Sequence, residues 1–264
     1  MRVATWNIRN GRAVDSASLW WRRRRALGDV VARVDADVWA LQEVYRFQRR
    51  HLERTVLPAG TWRSVGTGRN RRGSGEQVPI FHRRAVFPDA TASTRWFGPT
   101  PGRPGSRVDG APFPRIATFA ELATAAGPAG APPKAEGRVG ARAAVRVVNL
   151  HLDSDSVERR TAALAQLAEW LDPTAERPTI VLGDFNGPMT DPGYEELSAA
   201  GLRSALPADA GPTSNGFGRD LEGQRQIDHV FVSAHFDVRA ARIDLEAGHA
   251  SDHYPVVVDL AFSG

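Results

Sequence analysis

Cysteine is absent from the 264 residues. That excludes disulfide staples, thiolate nucleophiles and sulfur-based zinc sites, while saying little about compartment. Lysine is nearly absent too: Lys134 is the single one among 34 basic residues, so almost all the positive charge is arginine. No apolar run approaches the roughly 18–20 residues that cross a bilayer. The chain enters a strand-like segment at Val3 and Ala4, without a basic, apolar and cleavable leader. A cytoplasmic location is the default expectation. No Gly-rich phosphate loop stands at a strand–helix junction, which argues against a nucleotide-binding fold of that kind.

What is present suits a globular protein: 42% hydrophobic residues can fill a sizeable core. The net charge of +4 fits a polyanionic partner, but an arginine-rich chain reflects genome base composition about as readily. The arginines cluster at 22–25, 49–50 and 69–72. The first cluster is expected on the exposed face of a helix. The last lies in a Gly-rich loop where guanidinium groups can reach phosphate.

Periodicity predicts strands at 2–8, 38–44, 77–81, 116–122, 143–150, 179–182, 227–232, 236–243 and 254–262. Helices are expected at 19–34, 46–57, 156–171 (stopped by Asp172-Pro173) and about 191–200, with Gly201 as C-cap. Residues 98–114 and 124–140, dense in Gly, Pro and small residues, read as loops between matching strands rather than as domain linkers. Two sheets packed face to face with helices outside, in one domain spanning 1–264, accounts best for this order.

Three short strings end apolar strands in the second half: GDFN at 183–186, QIDH at 226–229 and SDH at 251–253. Asn7 in TWNI and Glu43 in LQEV stand similarly upstream. Carboxylates at strand ends cost free energy unless they meet a metal, a base or a substrate. Taken singly, Glu43 reads as an exposed strand end and Asn7 as a strand-end or turn residue. Asp-Phe-Asn-Gly reads as a turn as well as a site. In extended backbone Asp184 and Asn186 would point the same way, with Phe185 turned to the core.

TWNI, LQEV, GEQVPIF (75–81), PRIATF (114–119), NLHLD (149–153), GDFN, QIDH and SDH resemble, in order and spacing, the motifs of the endonuclease/exonuclease/phosphatase superfamily. The resemblance implies an α+β fold, a four-layered αββα sandwich of two packed, mostly antiparallel sheets flanked by helices. It implies hydrolysis of a phosphoester by activated water, with Mg²⁺ or Mn²⁺ as cofactor. Glu43 and Asn7 are hard oxygen ligands that suit such an ion. By the same resemblance Asp252 lies close to the metal and the phosphate, Asp184 orients or deprotonates the water, and Asn186 contacts the phosphate or the transition state. Asp228 partners His253, His151 touches a phosphate oxygen and is hydrogen-bonded by Glu76, and Arg115 is a further phosphate contact.

Several features depart from the family pattern. His82 stands where tyrosine is common, and Gly187-Pro188-Met189 follows GDFN where many relatives place a proline sooner. No counterpart of the DNA-intercalating loops of abasic-site endonucleases is evident. Asp153 and Asp155 read as an N-cap region ahead of a second shell of site residues. The substrate stays open between nucleic acid, a phosphorylated small molecule and a lipid headgroup. No obligate protein partner is evident, and a catalytically inactive nucleic-acid-binding scaffold is the alternative.

Overall fold

The computed structural model describes residues 1–14, 19–125, 144–171, 177–218 and 223–263. The expected loop at 124–140 from residue 126 onward, and the helix stop at Asp172-Pro173, fall outside the described residues. The strands are β1 (Arg2–Asn7), β2 (Val38–Gln42), β3 (Trp62–Val65), β4 (Ile80–Arg83), β5 (Asp89–Trp96), β6 (Ile116–Ala123), β7 (Ala144–His151), β8 (Thr179–Asp184), β9 (Leu202–Ser204), β10 (Asp228–Ser233), β11 (Phe236–Ile243) and β12 (Val256–Phe262). The helices are α1 (Trp20–Val34), α2 (Arg46–His51, prolonged by a wider turn to Val56), α3 (Val157–Leu171) and α4 (Tyr194–Ala199).

Two six-stranded sheets result, ordered β11-β12-β1-β2-β4-β3 and β5-β6-β7-β8-β10-β9. Both are mixed, with parallel pairs at β1–β2 and β7–β8 and antiparallel pairs elsewhere. The sandwich follows from side-chain alternation. Val3, Val38 and Ala40 of the first sheet pack against Val145, Val147, Ile180, Leu182, Val230 and Val232 of the second. Their neighbours Ala4, Trp6, Trp39 and Leu41 turn outward under Leu27, Val31 and Val34 of α1. On the far side Val148, Leu150, Val181 and Phe231 lie under Leu164 and Leu167 of α3 and Leu197 of α4. Among the described residues no helix is long and apolar enough to cross a membrane.

The inner faces are graded, and the grading positions the site. Val3, Thr5, Asn7 in β1; Val38, Ala40, Gln42 in β2; Val147, Asn149, His151 in β7; and Ile180, Leu182, Asp184 in β8 each pass from apolar to polar toward one end. Antiparallel β10 runs the other way, from Asp228 to Val230 and Val232. Beneath that polar end a buried bridge ties the sheets together. Gln42 Nε2 donates to Thr5 Oγ1 at 2.9 Å and to Asn149 Oδ1 at 2.7 Å, while Asn149 Nδ2 donates to the carbonyls of Leu41 and Pro79 at 2.9 Å each.

Three expectations change. Arg23, from the supposedly exposed cluster, is 4% exposed, and its guanidinium braces the loop after β1 through the carbonyls of Ile8 and Arg9. Asn186 takes a left-handed backbone (φ 54°), so the chain turns at that residue and Asp184 and Asn186 do not simply alternate. Strands β3, β5 and β9 have no counterpart in the periodicity.

Candidate active site

Register sets three acid–base groups side by side: β7–β8 pairing places His151 opposite Asp184, and β8–β10 pairing places Asp228 opposite Asp184. From the other sheet, His253 presents Nδ1 to Asp228 Oδ2 at 2.8 Å, and its Nε2 lies 3.9 Å from Asp184 Oδ2. His151 Nε2 is 3.5 Å from that same Asp184 oxygen. Asn7 Nδ2 crosses the seam, donating to Asp184 at 2.8 Å and to Glu43 Oε1 at 3.1 Å. Asp184 Oδ1 accepts the Asn186 amide at 2.9 Å, and Asn186 Nδ2 donates to the Leu152 carbonyl at 3.0 Å.

These environments separate the protonation states. Burial, then the charge of Asp228, raises Asp184 to about 7, against the pull of His253 and the Asn7 amide. Burial alone would lower His253, but Asp228 and Asp184 outweigh it and hold the imidazole well above its ordinary value. Burial, and then the Arg115 charge, pushes His151 well below its ordinary value. The site therefore pairs a cationic imidazole with a neutral one. Burial also opposes ionisation of Glu43, yet amide donors from Asn7 and Asn10 and the Arg9 guanidinium hold it below its ordinary value.

Glu43 itself is half-buried and sits at a left-handed backbone (φ 59°) just past β2. Its Oε2 accepts from the Asn10 backbone at 2.7 Å and the Asn10 side chain at 3.1 Å. Asp252 is ion-paired to Arg9 at 3.2 Å. Glu43, Asp252 and the Asn7 carbonyl make an oxygen-only donor set that fits a hard divalent cation. The Arg9 guanidinium, drawn to this corner, shows that it attracts positive charge. A second group, Asp184, Asp228 and His253, brings one ligand atom from each residue within 4.8 Å of the others. It is the poorer cation site, because an imidazolium already bonded to Asp228 has no free lone pair.

One expected contact is absent. Glu76 is ion-paired to Arg69 at 2.6 Å, not bonded to His151, whose Nε2 lies 3.1 Å from Arg115 Nη1. Arg115 Nη2 also donates to Ser154 Oγ at 3.3 Å. His82 is a core residue bonded through Nδ1 to the Phe87 carbonyl at 3.0 Å. Asp153 caps the turn into α3, accepting from the backbones of Asp155 and Ser156 at 2.9 and 3.0 Å. Sequence reasoning assigned no site role to Arg9, Asn10, Arg23 and Thr213. Thr213 Oγ1 accepts from Ile227 and Asp228 at 3.0 Å each, and its carbonyl accepts from Tyr254 at 2.6 Å, tying the strand of Asp228 to that of His253. None of these residues ends an apolar strand, which was the signal that marked the others.

The sequence profile of the Endonuclease/Exonuclease/phosphatase family matches residues 4–253, and the chain belongs to that family. No curated protein sequence matches it. Among solved structures it is similar to a mannosyl-6-phosphatase of Bacteroides thetaiotaomicron, with 26% identity, TM-score 0.82 and coverage of 99% of this chain and 100% of that one. A family member from Bacteroides vulgatus is 25% identical, with TM-score 0.83 over 99% and 98% of the two chains. The catalytic domain of human nocturnin shares the fold at 21% identity, with TM-score 0.68 over 100% and 94%.

Proposed function

We propose that this chain is a divalent-metal-dependent phosphoesterase that hydrolyses small phosphorylated molecules by attack of water on phosphorus. The observation that carries this reading is the Asp228–His253 pair, 2.8 Å apart and buried, aimed at an Asp184 whose pKa lies near neutrality. A general base works best with a pKa near the working pH. Asp184 takes a proton from the water as its oxygen bonds to phosphorus, while the ester P–O bond on the opposite side breaks and the departing alkoxide takes up a proton from solvent. The phosphoryl group sits among His253, His151, Asn186 and Arg115. The His253 imidazolium donates from Nε2 to a phosphoryl oxygen as charge grows, while Asp228 fixes its tautomer and supports its charge. Arg115 offers forked donors to the remaining oxygens.

Glu43, Asp252 and Asn7 are the residues that would hold Mg²⁺ or Mn²⁺. When bound, the ion supplies Lewis-acid stabilisation of the phosphoryl charge. The similarity to a mannosyl-6-phosphatase supports a phosphorylated small molecule over a polymer. A panel of phosphomonoesters, bis-aryl phosphodiesters, plasmid DNA, RNA and phosphoinositides, each with Mg²⁺, Mn²⁺ or chelator, tests the reading. Turnover of phosphomonoesters that chelator abolishes is expected. Salt-dependent DNA binding with no turnover of any ester would favour the inactive scaffold.

A further inference from the structure

Behind the GDFN turn lies a buried polar cluster that the mechanism above does not use. His229 follows Asp228 in β10, so side-chain alternation turns it away from the site and toward α4. It is fully buried among aromatic rings, 5.4 Å from the centres of both Phe185 and Tyr194 and 6.2 Å from that of Phe231. Its Nε2 lies 2.9 Å from the Gly187 carbonyl oxygen. A carbonyl only accepts, so Nε2 carries the proton and Nδ1 keeps a lone pair. That Nδ1 is buried without a partner among the described residues. A phenylalanine would fill the same aromatic pocket with no unpaired nitrogen. Because an unpaired buried polar atom costs free energy, packing alone does not account for an imidazole here. The bond to Gly187 does.

Gly187 is gripped by three further side chains. Its carbonyl also accepts from Tyr194 Oη at 2.7 Å, so two buried donors converge on one oxygen. On its Cα side, a Cβ would stand 2.5 Å from Asp191 Oδ2 and 2.7 Å from Arg160 Nε, which are themselves ion-paired. Glycine is the most permissive residue for backbone conformation, so this turn is held by its surroundings and not by its own chain. The residue held beside it is Asn186, a non-glycine in left-handed backbone (φ 54°). Such strain persists where neighbours over-determine it, and it gathers at functional sites. Asn186 Nδ2 gives one hydrogen to the Leu152 carbonyl at 3.0 Å. Its second hydrogen is left for a phosphoryl oxygen.

We propose that His229, together with Tyr194, is a positioning residue: by holding the Gly187 carbonyl it fixes the turn that presents the Asn186 amide to the phosphate. The proposal rests on the phosphoesterase reading above and adds to it a histidine that does not touch the substrate.

The test is a double-mutant cycle on kcat. His229→Phe keeps the ring and removes the donor, while Tyr194 still serves the carbonyl. Loss of one neutral hydrogen bond is worth roughly three- to tenfold, and kcat should fall by about that factor. In an Asn186→Ala background the same change should cost less than about twofold, because the group it positions is gone. His229→Gln sets an amide N–H close to the place of Nε2 and should restore kcat to within about threefold of wild type. Mn²⁺ affinity, read by calorimetry, should be unchanged by His229→Phe. Should His229→Phe fail to fold, Tyr194→Phe removes the other donor and is read in the same cycle. Multiplicative losses with Asn186→Ala, no recovery in His229→Gln, a weakened Mn²⁺ site or an unaltered kcat in His229→Phe would overturn the positioning role. Absence of turnover in the wild type would instead refute the phosphoesterase reading, and NMR of the Asn186 side-chain amide then decides the positioning. Its hydrogens should exchange severalfold faster in His229→Phe than in wild type, and equal exchange would overturn the proposal.

Discussion

Asp184→Asn should silence the site and, in the same molecule, flatten the dependence of folding stability on pH. The Asp184 carboxyl is 1% exposed, and its pKa is raised from 3.8 to about 7 in the folded chain. Below pH 4 it is protonated in folded and unfolded chains alike, so burial carries no charge penalty. Above about 7 it is ionised in both, and the folded state bears the full cost of a buried charge beside Asp228. Between those limits the folded chain binds more protons than the unfolded one, and stability falls as pH rises. At about 1.4 kcal/mol per pH unit, that interval is worth on the order of 2–4 kcal/mol, the lower figure allowing for charge shared with His253. His253, whose pKa is also raised, adds a loss of the same sign as pH climbs above its unfolded value.

Asparagine removes the titration but brings a local cost. Its single carbonyl cannot accept from both Asn7 Nδ2 and the Asn186 amide, which costs about 1–3 kcal/mol at every pH. The slope is therefore the measurement, not the midpoint. Urea unfolding in chelator between pH 4.5 and 8.5 should show a wild-type decline that is smaller in Asp184→Asn by about 2 kcal/mol or more, with turnover reduced by roughly 10²–10⁴-fold. Equally steep decline in the two chains would refute the reasoning about Asp184.

The other expectations are brief. His253→Ala should lower kcat by at least about two decades, Asp228→Asn by a similar amount, and the double mutant little further, because the pair acts as a unit; strictly multiplicative losses would separate them. Glu43→Gln should weaken Mn²⁺ binding in calorimetry while leaving circular dichroism unchanged, and an unaltered affinity would move the cation elsewhere. Alanine at the exposed Arg71, Arg72, Arg103 and Arg107 should raise KM for a multiply charged substrate while leaving kcat on a small aryl phosphate nearly unchanged. Equal effects on both substrates would give those loops a structural role instead.

Much of the fold and the acidic residues of the site could be read in the sequence because both obey one rule. A strand buried on both faces is apolar until its polar end, so Asp184 after Thr179-Ile180-Val181-Leu182 announces itself, whereas His151 was marked by the family resemblance alone. Strand β5 (DATASTRW) is largely exposed along its length and carries no such pattern, so it went unseen. The burial of Arg69 and Arg23 escaped for a different reason. Arginine is read as surface by default, and only tertiary contacts reveal that Glu76 neutralises one and that the Ile8 and Arg9 carbonyls receive the other. The turn at Asn186 was legible in Asn186-Gly187, and its left-handed backbone sets aside the extended alternative for Asp184 and Asn186. The Glu76 contact carried over from family resemblance differs because Glu76 pairs with Arg69 instead.

Strand β1 lies between β2 and β12, and the amino group of Met1 donates to the Leu260 carbonyl, 259 residues along the chain. During synthesis, then, β1 must wait for the much later β12 before its second edge is covered. Until that moment β1 and β2 expose an unpaired edge and half an apolar face, a state that invites association with other chains. His253 emerges just ahead of β12, so the imidazole of the site arrives together with the strand that closes the sheet. Growing chains should accordingly be protease-sensitive and inert toward phosphate esters until β12 has left the exit tunnel, and catalytic competence should appear in one step rather than by degrees.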